Sequence, residues 1–308
     1  MIYLMIFLGV FNIEEHPRYE EVKKMFIEAV ERHPEVRIGK GVYVFERYFI
    51  CGDLFIWTVW EEMLEGIDGG RYKHIWDILL DKTKASPEAR ALFVVSTLGG
   101  SDIVMGEIVK VFPDSVRVCE DLDKNYLLRV DRVFQGRIKV GDTIQIKFFG
   151  NVLAFSPSGP DYRFMGGDTI IASLQRTIGD CLLKGDEEPG YSLPFYTPSG
   201  GMLRVTGLKV RIDGDSIVKE PVPVHIEGYY KVDCPLDVGI EVLERMISIR
   251  ERYLNLLYDK MSPELMDSFF VFLKREKERE KNATCDPKII LEEESRKFID
   301  LLKKWGER

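Results

Sequence analysis

The side chains able to do chemistry are few and scattered. Four histidines, His16, His33, His74 and His225, are spread over 308 residues. His16 and His33 adjoin Pro17 and Pro34 at helix ends, where surface or capping roles are expected. His74 shares an aromatic helix with Trp76, and His225 lies between Val224 and Ile226 in a strand. The patterns that would arm them, His-Glu-x-x-His or a serine in Gly-x-Ser-x-Gly, do not occur. The five cysteines, Cys51, Cys119, Cys181, Cys234 and Cys285, each stand more than 50 residues from the next. That spacing offers no zinc set. Such thiols are expected to be reduced and buried as small hydrophobes, with one long-range pair such as Cys119–Cys181 as the alternative. Gly99-Gly100-Ser101 and Ser199-Gly200-Gly201 lack the lysine and the glycine frame of phosphate loops, and read as turns. Asp213-Gly214-Asp215 is explained by hairpin chemistry without a cation. Acidic residues are so abundant that no carboxylate pair stands out for acid–base work. The reading contains no catalytic residue, no metal ligand and no cofactor site.

Charge narrows the partners. The net charge is −8, and residues 103–176 carry ten basic against nine acidic side chains. Phosphate neutralisation needs a basic excess that no segment has, which argues against nucleic acid. The abundance of Lys, Arg and Glu suits a hot environment, where ion hydration is less favourable. Met1 to Val10 is almost wholly apolar, with no basic residue before Arg18. It is too short to span a bilayer as a helix and reads as a buried first strand of a cytoplasmic protein. The alternative is a degenerate signal or anchor in residues 1–11, with export or membrane attachment.

The elements follow from periodicity. Pro17 opens an amphipathic helix to about Arg32, with Val22, Met25, Phe26, Ala29 and Val30 on one stripe. Gly41–Ile50 and Leu54–Trp60 flank Cys51-Gly52-Asp53 and read as a hairpin, although Trp57–Leu64 also suits a helix. Tyr72–Leu80 and Pro87–Val95 look helical, the second capped by Ser86. Ile144, Ile146 and Phe148 alternate with Thr143, Gln145 and Lys147, the period of a strand with one buried face. Val140-Gly141-Asp142-Thr143-Ile144 is echoed by Met165-Gly166-Gly167-Asp168-Thr169-Ile170. Leu208, Val210 and Ile212 alternate into the Asp213-Gly214 turn. Residues 237–258 are helical, and Ser262-Pro263 and Asp286-Pro287 each start a further helix. Lys274–Lys281, eight alternating charges, reads as a solvated helix end.

Ser101-Asp102-Ile103-Val104-Met105-Gly106, Val130-Asp131-Arg132-Val133-Phe134-Gln135-Gly136 and Lys139-Val140-Gly141-Asp142 follow one another in order. Over about residues 101–218 this order resembles the OB-like barrel of netrin modules and tissue inhibitors of metalloproteinases. The resemblance implies a fold and little about activity. Those inhibitors act through an amino-terminal Cys-x-Cys, whereas this chain begins Met1-Ile2-Tyr3, so their inhibition is not implied.

The expected architecture is α+β, with a central antiparallel OB-like β-barrel, an N-terminal α/β cap and a C-terminal helical tail. The corresponding regions are 1–98, 99–235 and 236–308. The expected role is a non-catalytic protein- or ligand-binding module, using a face drawn from Tyr126, Phe149, Phe155 and Tyr162. The rivals are an enzyme with an acidic site between the N-terminal region and the barrel, and a single-stranded nucleic-acid binder. The apolar stripes of the C-terminal helices also offer a surface for homo-oligomers or another protein.

Overall fold

The helix starts written as serine-proline pairs are used as such. In the computed structural model, which describes residues 10–36, 44–112, 115–116, 122–148, 164–176, 195–213, 216–282 and 287–306, Ser86 Oγ accepts the Ala89 N–H at 3.1 Å. Ser262 Oγ accepts the Leu265 N–H at 3.2 Å. Each satisfies one of the N–H groups that a helix start leaves without a partner. In chain order the helices are α1 (Tyr19–Arg32), α2 (Ile56–Leu64), α3 (Ile75–Leu80), α4 (Pro87–Val95), α5 (Leu236–Lys260), α6 (Pro263–Asn282) and α7 (Pro287–Gly306). Between α4 and α5 run β1 (Asp102–Val111), β2 (Ser115–Val116), β3 (Leu122–Gln135), β4 (Thr143–Phe148), β5 (Thr169–Arg176), β6 (Phe195–Asp213), β7 (Ser216–Glu227) and β8 (Asp233–Pro235). The protein is a mixed α+β chain. Among the described residues no helix is long and apolar enough to cross a membrane.

The chain forms two compact units, each made from two stretches: residues 1–12 with 78–244, and residues 13–77 with 245–308. The first unit holds the sheet. Seven strands run in the order β2-β3-β1-β5-β6-β7-β8, every neighbouring pair antiparallel. β4 lies off this path, antiparallel to β3 from Lys124↔Phe148 to Arg129↔Thr143. Its link to β6 is parallel and only two residues long, Gln145↔Phe195 and Ile146↔Tyr196. The closed antiparallel barrel expected from the sequence is thus corrected to an open antiparallel sheet. The reason lies in the 19-residue β6. It pairs with β5 up to Val205 and with β7 from Arg204 to Asp213, and β7 pairs in turn with β8, so the antiparallel ladder runs on past β6 to β7 and β8.

The alternation in β4 reports its packing correctly. Ile144 and Ile146 are buried while Thr143 is exposed. They join Val104, Ile108, Tyr126, Leu128, Val130, Phe164, Ile170, Ala172, Leu174 and Met202 in one apolar cluster. The two echoed turns prove to be one device used twice. The Lys139 N–H donates to Asp142 Oδ2 at 2.9 Å, and the Met165 N–H donates to Asp168 Oδ2 at 2.8 Å. Gly141 (φ +89°) and Gly167 (φ +90°) occupy the left-handed position that favours glycine. Their N–H groups donate to Val130 O and Ile108 O, and the N–H groups of those two residues return to Asp142 O and Asp168 O, all at 2.8 Å. One turn delivers β4 alongside β3, and the other delivers β5 alongside β1.

The second unit is helical and aromatic. The hairpin expected around Cys51-Gly52-Asp53 is instead a π-helical turn (Glu46–Ile50), a short 3₁₀ turn (Asp53–Phe55) and α2. Phe45, Tyr48 and Phe49 are all buried. Their spacing of three and four is helical, a signal that aromatic β-propensity masked. Phe49 meets Phe269 edge-on at 5.0 Å between ring centroids, and Phe26 meets Phe270 at 5.5 Å. Each such buried ring contributes roughly 1.5–3 kcal/mol, and these contacts bind α1 and the 45–55 segment to α6. Arg18 closes the end of α5, donating to the carbonyls of Tyr258 and Asp259 at 2.7 Å and of Met261 at 2.9 Å. Tyr258 and Asp259 lie in the last turn of α5, where carbonyls lack a full set of intrahelical partners, and Met261 follows it.

Candidate functional site

Buried polar side chains are costly unless partnered, so they mark the places worth testing for chemistry. In the sheet unit they are Ser101, Asp102, Gln135 and Ser173, and three of them converge where β1 begins and β3 ends. Asp102 is 1% exposed. Its Oδ1 accepts the N–H groups of Arg137 at 2.7 Å and Ile138 at 3.3 Å, and its Oδ2 accepts the Ser101 hydroxyl at 3.1 Å. Gln135 Nε2 donates to the carbonyls of Gly100 and Ser101 at 3.3 and 3.2 Å. The Gly100 N–H donates to Ser173 Oγ on β5 at 2.5 Å. Gly136 has φ +103°, and a Cβ there would lie 2.2 Å from Asp102 Oδ1. Ser101-Asp102 and Gln135-Gly136, far apart in sequence, therefore form a single knot. Its polar atoms serve the backbone: Asp102 is a structural acceptor that ties the start of β1 to the residues following β3, and Ser173 ties Gly100 to β5.

The helical unit contains a different cluster. Gly52 takes a left-handed conformation (φ +73°), and its bare Cα faces the side chain of Arg250 on α5, whose Cγ would lie 3.1 Å from a Cβ there. Arg47 Nε donates to Asp53 Oδ2 at 2.9 Å. Burial pushes the Asp53 carboxyl above its ordinary range despite the opposing pull of Arg47 and Arg250. Burial likewise lowers the Arg250 guanidinium, against the field of Cys51 and Asp53. Cys51 is buried, and a substrate would have to displace packed side chains to reach it. The cluster anchors the 46–55 turns to α5. Among the described residues no group of three or more His, Cys, Asp or Glu is placed to hold a metal.

The third feature lies on the surface of the sheet unit. The β6–β7 ladder shifts register between Thr206 and Leu208. A bulge of this kind bends the strand and re-aims its side chains. Around it Leu208 is 52% exposed and Val224 51%, and Pro221 and Pro223 are exposed beside them. Gly207 sits beneath, its missing Cβ facing Val224 Cγ2 at 3.9 Å. Prolines in β7 lack the N–H that another strand would need, a common protection against edge-to-edge pairing.

Tyr126, expected on a binding face, is 1% exposed and packs edge-on against the ring of Phe164 at 5.8 Å. It belongs to the core. Phe149, Phe155 and Tyr162 lie outside the described residues, as do Cys119, Cys181 and Cys285. Cys51 and Cys234 are buried and not in a disulfide, and burial with help from Asp233 pushes the Cys234 thiol up to about 12. His74 precedes α3 instead of sharing it with Trp76, and its ring lies 5.9 Å from that of Trp57. Sequence reasoning missed the Leu208–Val224 surface because strand alternation assigns Leu208 to a buried face. The only hint was the Pro221-Val222-Pro223 run. Comparison with protein-family models, with curated proteins and with solved structures yields no match.

Proposed function

We propose that the protein is a non-catalytic binding module, and that it recognises another protein through the apolar bulge of the β6–β7 hairpin. The observation that supports this reading is the exposure of Leu208, Val224, Pro221 and Pro223 around one register shift of the β6–β7 ladder. Apolar side chains cost free energy in water, and exposed clusters of them mark sites of association. The prolines disfavour recognition by strand addition, so contact would be through side chains. The buried polar clusters support the non-catalytic part of the reading, since Asp102 and Gln135 are engaged with backbone groups and Asp53 with Arg47.

The test is affinity capture with the immobilised intact protein and a Leu208→Glu/Val224→Glu variant. The thermal midpoint of the variant should stay within a few degrees of wild type, because both side chains are already exposed. A species held by the wild type and released by the variant is expected. Equal retention by both proteins would refute the bulge as the recognition surface.

A further inference from the structure

His33 ends α1, and each nitrogen of its ring faces a carboxylate. Nε2 is 3.2 Å from Asp267 Oδ1 on α6, and Nδ1 is 3.4 Å from Glu35 Oε1 in the 3₁₀ turn that follows. The ring stacks on Phe270 of α6 at 5.2 Å with an interplanar angle of 23°. A neutral imidazole has one N–H and one bare nitrogen, whereas carboxylates only accept. The neutral ring can therefore serve one of these partners and must turn a lone pair toward the other. The imidazolium serves both, and its position at the carboxyl end of α1 also favours a cation. We propose that His33 is a proton-operated latch that ties the end of α1 and the following turn to α6 when charged, and loosens that junction when neutral.

The other charges facing the junction have been placed. Arg32 donates to the same Asp267 oxygen at 2.8 Å. Lys274 of α6 acts on Glu35, and Glu264 lies near Asp267. The Asp267 carboxyl is held below its ordinary range first by Arg32 and then by His33. That of Glu35 is held down by its own backbone N–H and then by His33. Both acceptors are thus held in the ionised form, and Arg32 keeps Asp267 at the junction in either state of the ring. What changes with pH is the second donor of His33. The latch is complete with the charged ring and loosened with the neutral one. It lies in the helical unit, and it is independent of the recognition surface on the sheet.

The test uses the intact protein. Hydrogen exchange is followed at the amides of residues 29–36, in wild type, His33→Gln and Glu35→Gln, at about pH 5.5 and about pH 8.5 after correction for intrinsic rates. In wild type the protection of these amides should fall by about two- to five-fold between the two pH values, the size of a partly exposed charged contact. His33→Gln should lack this fall. Glu35→Gln should show less of it, because an amide can donate to the bare nitrogen as well as accept from the N–H. The latch is overturned by protection that falls equally in wild type and His33→Gln. If His33→Gln does not fold, an undiminished fall in Glu35→Gln overturns it instead.

Discussion

Replacing Asp102 separates a hydrogen-bond acceptor from a charge. Asp102→Ala removes the acceptor of two backbone N–H groups, at Arg137 and Ile138, and of the Ser101 hydroxyl. The hydroxyl can turn to the Leu174 carbonyl, 3.3 Å away, but the two N–H groups cannot. An orphaned buried donor costs about 1–3 kcal/mol, so the loss for the two is about 2–6 kcal/mol. Asp102→Asn keeps an oxygen facing both N–H groups and turns its amide toward Ser101, whose oxygen can accept from it. Only the charge assistance is lost, about 1 kcal/mol. Urea denaturation of the intact protein, with hydrogen exchange at residues 137 and 138, measures both variants. The alanine variant should be the weaker by about 1–5 kcal/mol, with faster exchange at those two amides. Equal destabilisation by Asn and Ala would show that the charge matters and that the knot has been misread.

Gly106→Ala should prevent the β1–β3 pairing, because its Cβ would lie 2.1 Å from the Arg129 carbonyl oxygen; soluble, natively protected protein from this variant would refute that. The raised Asp53 carboxyl makes folding favour its protonated form, so its ionisation erodes stability as pH rises above the ordinary aspartate range. Asp53→Asn lacks that erosion, and its stability relative to wild type should therefore improve as pH rises above the ordinary aspartate range in urea titrations; an unchanged difference would contradict the assignment. Cys51 and Cys234 are buried and should resist alkylation in the native protein while reacting promptly in urea, as mass spectrometry would show; rapid native labelling would place them at the surface.

Local chemistry alone determined the elements whose signals act within a few residues. The starts of α4 and α6 are legible because Ser86 and Ser262 cap N–H groups three residues on. The two Gly-Asp turns are legible because Asp142 and Asp168 close them from within. The inward face of β4 is legible because an alternating strand buries one side. Interactions between distant residues were decided by the tertiary structure. Residues 45–64 carry strand-like aromatics, yet the rings of Phe45, Tyr48 and Phe49 find α1 and α6, and packing overrides propensity. The open sheet depends on where the second half of β6 finds its partner, and alternation in β6 is the same whichever strand lies beside it. Tyr126 was assigned to a surface and lies in the core, because residue type does not state which face of a strand is covered. The Asp102–Gly136 knot and the Arg250–Gly52 contact join residues that no spacing rule connects. Burial and charge acquire their meaning there only after the chain has brought them together.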